Sequence, residues 1–316
     1  MERTLPCLAL VIPCYNEEAG LAHAMDTLDQ FLVKLKNDGL IRDDSFALYV
    51  DDGSHDATWR IIEERGMLSP HNRGLKLAGN VGHQNALLAG MLEIRNEADC
   101  LISMDADLQD DIHAIPAMLR RFAGGCDIVY GVRDNRDSDT SFKRGTAGFF
   151  YRLMARIGVR IVPQHADYRL VSQTAANALA HYGESNLFLR GIFPSMGFRS
   201  DTVTYARKER QYGKTKYPLE RMLSFAWQGI TSFSGIPLRL AGLFSIGALL
   251  LALVEVFLTL LAWARGEVVT GWTSMMVVML FLGSVQLFCL ALIGEYLAKI
   301  YTEVKRRPRY IVEKKF

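Results

Sequence analysis

The chain has 316 residues, of which 50% are hydrophobic and 22% charged, with a formal net charge of +2. That length can bury a full core without disulfides or structural metals, and the composition excludes a disordered chain, a collagen-like chain and a disulfide-stapled secreted module. The near-neutral charge excludes a strong nucleic-acid footprint. Cys7, Cys14, Cys100, Cys126 and Cys289 are odd in number and lack CxxC spacing, which fits a reducing compartment and no disulfide framework.

In chain order, apolar β-rich runs are predicted at Leu8–Ile12, Phe46–Val50, Leu75–Ala78, Leu101–Met104 and Ile128–Val132. Helical stretches separate them at Glu17–Lys36, Ala57–Arg65, Gln84–Arg95 and Ile112–Phe122. The first run is too short for the hydrophobic core of a signal peptide. This alternation predicts an α/β domain with a mostly parallel sheet covered on both faces. Ligands in such sheets bind beyond the carboxyl ends of the strands.

Polar clusters follow four successive runs: Pro13-Cys14-Tyr15-Asn16-Glu17-Glu18, Asp51-Asp52-Gly53-Ser54, Asn80-Val81-Gly82-His83 and Asp105-Ala106-Asp107-Leu108-Gln109-Asp110. Each has a plain reading alone, since Asp, Gly and Ser build turns and acidic residues cap helices. Their repetition at four strand ends points to a site. No GxGxxG follows the first strand. Gly213-Lys214-Thr215 resembles the end of a Walker A loop, but Lys208 stands where that motif needs Gly. Without a Gly-rich cradle, a bound diphosphate needs a metal. Asp105 and Asp107, two apart on a chain leaving a strand, can turn toward one hard cation, Mg²⁺ or Mn²⁺, which would stabilise a nucleoside diphosphate leaving group.

Further along, Gly145–Val162 places Phe149, Phe150, Leu153, Met154, Ile157 and Ile161 at helical spacing, with Arg152, Arg156 and Arg160 along another face. This reads either as a basic amphipathic helix on an anionic leaflet or as a core helix with a solvated face. Pro218–Ile236 repeats the pattern and leads into an apolar region, as an interfacial helix does. Between Pro237 and Ala298 the charged residues are Arg239, Glu255, Arg265, Glu267 and Glu295. Leu240–Ala264 and Trp272–Gly294 each exceed the roughly 30 Å hydrocarbon core at about 1.5 Å per residue, so two transmembrane helices are predicted. The link Arg265–Gly271 holds one basic residue, whereas the tail carries Lys299, Lys305, Arg306, Arg307, Arg309, Lys314 and Lys315. The positive-inside rule then puts the tail and the front domain in the cytoplasm. The expected organisation is a catalytic domain over 1–217, an interfacial helix over 218–236, a membrane hairpin over 237–298 with spans near 240–264 and 272–294, and a basic tail over 299–316. Glu255, inside the first span, reads either as a packing residue or as an oligomer contact; a homo-oligomer follows on the second reading alone.

PCYNEE, DDGS, NVGHQNA and DADLQD, in this order, resemble the GT-A nucleotide-sugar transferases of glycosyltransferase family 2. The resemblance is closest to the polyprenyl-phosphate type, the dolichol-phosphate mannose synthases and bacterial undecaprenyl-phosphate glucosyltransferases. It continues through Ala166-Asp167-Tyr168-Arg169-Leu170 and Arg210-Gln211-Tyr212-Gly213-Lys214-Thr215-Lys216-Tyr217, then Gly294-Glu295-Tyr296-Leu297 and Ile300-Tyr301, and ends with Arg307-Pro308, covering essentially the whole chain. It implies a GT-A domain with interfacial amphipathic helices and two transmembrane helices in a bacterial inner membrane. The implied reaction is inverting, metal-dependent transfer of a hexose, glucose first, from a UDP-sugar to undecaprenyl phosphate, whose product a flippase and a second glycosyltransferase would use. A mannosyl or aminoarabinose donor and a non-catalytic nucleotide-sugar sensor are the alternatives.

By the same resemblance, Pro13, Tyr15 and Glu17 would hold base and ribose, and Asp52 would read the uracil edge. Asp105, Asp107 and Gln109 would surround the metal and diphosphate. Arg133 and Arg144 would grip the acceptor phosphate, and Arg169, Arg210 and Lys216 would complete a basic ring. Asp167 matches the family's catalytic carboxylate. An acceptor phosphate monoester is largely ionised at neutral pH, its second pKa being about 6, so it needs little help from a general base. Asp167 is therefore open to two roles, a base or an orienting group for Arg169 and the metal shell.

Overall fold

The computed structural model describes residues 5–134, 165–184, 188–206, 235–266 and 271–316. The chain divides into two compact units, one holding the front of the chain together with Pro308–Phe316, the other holding the apolar helices up to Arg307.

In the first unit, β1 (Leu8–Cys14), β2 (Phe46–Asp51), β3 (Asn72–Leu77), β4 (Cys100–Ser103), β5 (Ile128–Arg133), β6 (His165–Ser172), β7 (Ser200–Tyr205) and β8 (Val312–Lys315) form one sheet in the order β7-β5-β6-β4-β1-β2-β3-β8. β1 pairs in parallel with β2 and β4, β2 with β3, and β5 with β7. The predicted parallel βαβ core is present. Every residue of β1 and β2 is buried, which is why these strands read as unbroken apolar runs rather than alternating ones.

The helices cover this sheet. α1 (Leu21–Asn37) buries Leu21, Met25, Leu28, Leu32 and Leu35, one stripe at helical spacing. It starts later than predicted because Glu17–Gly20 form a turn, with the Gly20 amide donating to the Glu17 carbonyl at 3.1 Å; Glu17 is thereby kept at the strand end. α2 spans Thr58–Leu68 and α3 His83–Glu93. α3 lies so close to β1 and β2 that a Cβ on Gly90 would meet Val11 Cγ1 at 2.5 Å and Val50 Cγ2 at 2.7 Å. The helix predicted over 112–122 begins as a 3₁₀ turn, Ile112–Ala114, capped by the Asp111 side chain, and continues as α4 (Ile115–Ala123). α5 (Gln173–Leu179) and α6 (Leu189–Ser195) follow β6.

Two strands depart from the predicted pattern. β6 runs antiparallel between β4 and β5. Its sequence, HADYRLVS, carries charge and looks like a loop, yet Tyr168, Arg169, Leu170 and Val171 are wholly buried. The expected basic tail is part helix and part strand, since β8 adds antiparallel to β3. Lys76 meets Glu313 at 2.9 Å, Lys315 meets Glu97 at 2.9 Å and Lys314 meets Glu63 at 3.6 Å. Phe316 exchanges both backbone hydrogen bonds with Gly74, at 3.1 and 3.2 Å, and its ring meets Trp59 edge-on. Lys314 and Lys315, read as part of a basic tail, thus belong to a charged edge strand.

In the second unit, α7 spans Ile236–Ala264 and α8 Trp272–Val304. Among the described residues these are the helices long and apolar enough to cross a membrane, with mean hydropathy 2.4 over Ala241–Ala262 and 2.0 over Val278–Val304. Ser245 and Ser284 donate to carbonyls four residues back, at 2.8 Å each, which satisfies both hydroxyls within their own helix. The amphipathic stretch predicted at 145–162 lies outside the described residues, as does that predicted at 218–236 except for Gly235 and Ile236.

Candidate active site

The topology explains why the polar clusters converge. β1, β2, β3 and β4 all run one way, and the chain reverses its order of addition between β1 and β4, where such sheets open a crevice. β6 runs the other way, with Arg169 opposite Ser103. Asp167, two residues before Arg169, therefore emerges beside Asp105, two residues after Ser103. β5 and β7 end at the same edge, with Arg133 opposite Tyr205.

The first three clusters are stitched into one rim. The Asn16 amide donates to Ser54 Oγ at 3.0 Å, the His55 amide to Asn16 Oδ1 at 2.9 Å and the Glu17 amide to Thr58 Oγ1 at 2.8 Å. Asn16 takes φ of 54°, left-handed backbone that Asn tolerates. Gly53 has φ of +67°, and a Cβ there would sit 2.6 Å from the Gly79 carbonyl carbon and 2.7 Å from the Asn80 nitrogen. Only glycine fits. Asp52 is buried, and its two oxygens accept from the Val81 amide at 2.7 Å and the Gly82 amide at 3.0 Å. Burial raises the Asp52 pKa, against the lowering by those two amides. Pro13 lies within the buried strand β1, while Tyr15 is 43% exposed at its mouth.

Beyond β4 four carboxylates gather: Asp105, Asp107, Asp110 and Asp167. Asp105 opens to solvent on one side while protein crowds the rest. Burial, with further contributions from Asp110, Asp167 and Asp107 and against that of His83, pushes its pKa up to about 6. His83 Nε2 lies 3.5 Å from Asp105 Oδ1 and 3.9 Å from Asp167 Oδ2. Asp107 Oδ1 accepts from the Gln109 amide at 3.2 Å across the left-handed Leu108, whose φ is 52°. Gln109 is buried. Among the described residues, no group of three or more His, Cys, Asp or Glu side chains is arranged to hold an ion. A hard divalent cation that takes one or two protein carboxylates, such as Asp105 and Asp107, and completes its shell with phosphate oxygens needs no such group.

Asp167 is clamped by two arginines. Arg169 Nη2 pairs with its Oδ1, and Arg190 Nη2 donates to Oδ2 at 3.0 Å. Burial lifts the Asp167 carboxyl, but the attraction of Arg169 and Arg190, with the Arg190 hydrogen bond and His83, holds it well below the usual carboxylate range. Arg169 is fully buried, with its guanidinium carbon 4.8 Å from the Phe193 ring centroid. It therefore reaches the site through Asp167 rather than lining it. Arg133 is held by Tyr205 Oη at 3.2 Å and by Asp110 Oδ1 at 3.5 Å, and the Tyr205 hydroxyl donates to Asp110 at 2.5 Å.

The fold thus brings Asp105, Asp107, Asp167, Arg133 and His83 together, with Pro13, Tyr15, Glu17 and Asp52 on the adjoining strand ends. Arg144, Arg210 and Lys216 lie outside the described residues. Sequence reasoning missed Arg190 and Tyr205, and gave Asp110 no role beyond its place in the fourth cluster. A lone cation inside the apolar run Leu187–Phe193 was the available signal for Arg190.

A sheet of this order, with acidic and basic side chains gathered past the carboxyl ends of its strands, fits a glycosyltransferase of the GT-A fold. The chain belongs to glycosyl transferase family 2, which residues 9–179 match, and residues 236–300 match the GtrB C-terminal hairpin. It is a glycosyltransferase. It is 46% identical over 313 residues to the uncharacterized glycosyltransferase YkoT of Bacillus subtilis, covering 99% of this chain and 93% of that one. It is 35% identical over 311 residues to the SfII prophage-derived bactoprenol glucosyl transferase of Shigella flexneri, covering 97% of each. Among solved structures, glucosyl-3-phosphoglycerate synthase from Mycobacterium tuberculosis is similar at 17% identity and a TM-score of 0.47, covering 72% of this chain and 79% of that chain.

Proposed function

We propose that the chain transfers glucose, with inversion, from a UDP-sugar to undecaprenyl phosphate at the cytoplasmic leaflet of a bacterial inner membrane. The observation that carries this is the likeness to a bactoprenol glucosyl transferase along 97% of both chains, so that it extends over catalytic domain and hairpin alike. Tyr15 and Glu17 hold the base and ribose beside Pro13, and Asp52 shapes the uracil end through the Val81–Gly82 turn it anchors. Asp105, Asp107 and Gln109 would hold Mg²⁺ or Mn²⁺, which would supply charge stabilisation for a departing diphosphate.

Arg133, with Arg144, Arg210 and Lys216, grips the acceptor phosphate. That phosphate arrives ionised, and a carboxylate with a depressed pKa is a poor proton acceptor. Asp167 accordingly orients Arg190, Arg169 and His83 and takes no proton. Rate enhancement then comes from positioning and charge stabilisation.

Charge bias across the hairpin supports a cytoplasmic catalytic domain. The chain leaves the first unit before α7 and rejoins it at β8 after α8, which fits two crossings that keep both ends of the hairpin on one side; the charge bias alone supports which side. The test incubates membranes holding the full chain with radiolabelled UDP-glucose, undecaprenyl phosphate and Mg²⁺ or Mn²⁺. Label is expected in the organic phase. Label that enters only from a GDP-mannose or UDP-aminoarabinose donor corrects the sugar, and none from any donor overturns the reading.

A further inference from the structure

Two arginines face the acidic centre from different elements, and each is held by its own carboxylate. Arg133, at the end of β5, leans on Asp110, which is 2% exposed. Arg190, in α6, leans on Asp167, which is 10% exposed. Unlike Arg169, whose side chain is fully buried, Arg133 and Arg190 keep 24% and 35% of their side chains open. The two cations lie near enough to repel, and both are near enough to Asp105 to feel its charge. Like charges held together at a half-open surface, each braced from behind, form a seat that an anion with several oxygens can bridge.

We propose that Arg190 is a phosphate-binding residue of the transfer site, forming with Arg133 a two-arginine seat for one phosphate group. The inference rests on the glycosyltransferase reading of this site. A donor β-phosphate and an acceptor phosphate monoester share this chemistry, and the experiment separates them. Asp167 and Asp110 act behind the seat as positioning residues.

The test uses the full chain in detergent, without turnover. Binding of UDP and of undecaprenyl phosphate is measured by ligand-induced shift of the melting temperature, for wild type, Arg190→Gln and Arg190→Lys. Arg190→Gln is expected to weaken one of the two ligands about tenfold or more, the loss typical of a charge-assisted hydrogen bond, and to leave the other within about twofold. Arg190→Lys keeps the charge toward Asp167 but loses the planar fork. It is expected to recover part of that loss, and it carries the comparison if the Gln variant does not fold. The weakened ligand identifies the source of the phosphate. Unchanged affinity for both ligands in both variants overturns the proposal, as does wild-type protein that binds neither. Because binding is read without transfer, a failed transfer assay beside an Arg190-dependent shift condemns the acceptor or donor assignment and leaves the seat standing.

Discussion

At Asp167 two opposing effects meet: burial lifts the carboxyl, and the attraction of Arg169 and Arg190 outweighs it. The native pKa lies below the unfolded value of about 3.9, so the carboxylate's contribution is complete above that value and is lost as pH falls through the native one. Asp167→Asn leaves the buried Arg169 without its counter-charge and is expected to destabilise the chain by about 3–5 kcal/mol at pH 7. The melting difference between wild type and variant should not narrow between pH 8 and about 5, widening slightly where Asp105 titrates near 6, and should shrink at lower pH; narrowing already between pH 8 and 6 would refute the ion-pair account. Asp107→Asn, the same isosteric change outside the ion pairs of Asp167 with Arg169 and Arg190, is expected to lower transfer about 100-fold or more while leaving the melting temperature nearly unchanged. Undiminished label with this variant would remove the metal argument. Gly53→Ala tests the rim. Its Cβ would lie 2.6 Å from backbone at φ of +67°, so a loss of about 1–3 kcal/mol is expected in thermal melts. DDGS was legible as a strand-end cluster, but the demand for glycine was not, because Gly79 and Asn80 approach from another loop.

Among the elements, the central strands and their helices were readable because β1, β2 and β4 are buried along their length and their runs are continuous. β6 was not. It buries an arginine beside an aspartate, and that pairing exists only once Asp167 and Arg190 are in place. β8 was hidden differently, since its residues carry charge and have no apolar alternation. Its hold comes from pairing with β3 and from Phe316, which is 45% exposed. Phe316→Ala is expected to cost about 1 kcal/mol, less than a fully buried Phe would. Amides bonded across this edge, those of Gly74 and Ala78, should lose hydrogen-exchange protection in the variant. Unchanged protection at both would mean that the strand holds without its aromatic anchor.

For the whole molecule, the decisive contrast is between a unit with a buried polar site and a unit whose apolar side chains face outward. The orientation proposed above makes a labelling prediction. Arg265→Cys, in the link between the spans, should react with a membrane-impermeant thiol reagent in intact cells. Met67→Cys, 86% exposed on the catalytic unit, should react only after the membrane is opened. The reverse pattern would invert the topology.

Hydrophobic period, charge bias and strand-end motifs are local properties, and they determined the α/β alternation, the two apolar helices and the neighbourhood of Asp105 and Asp107 directly. The antiparallel β6, the partnership of Asp167 with Arg190, the bracing of Arg133 by Asp110 and the return of β8 to the sheet were decided only in three dimensions. Each depends on charges or backbone edges distant in sequence. Their stability arises when burial removes water and leaves the opposite charge or the neighbouring strand as the remaining partner.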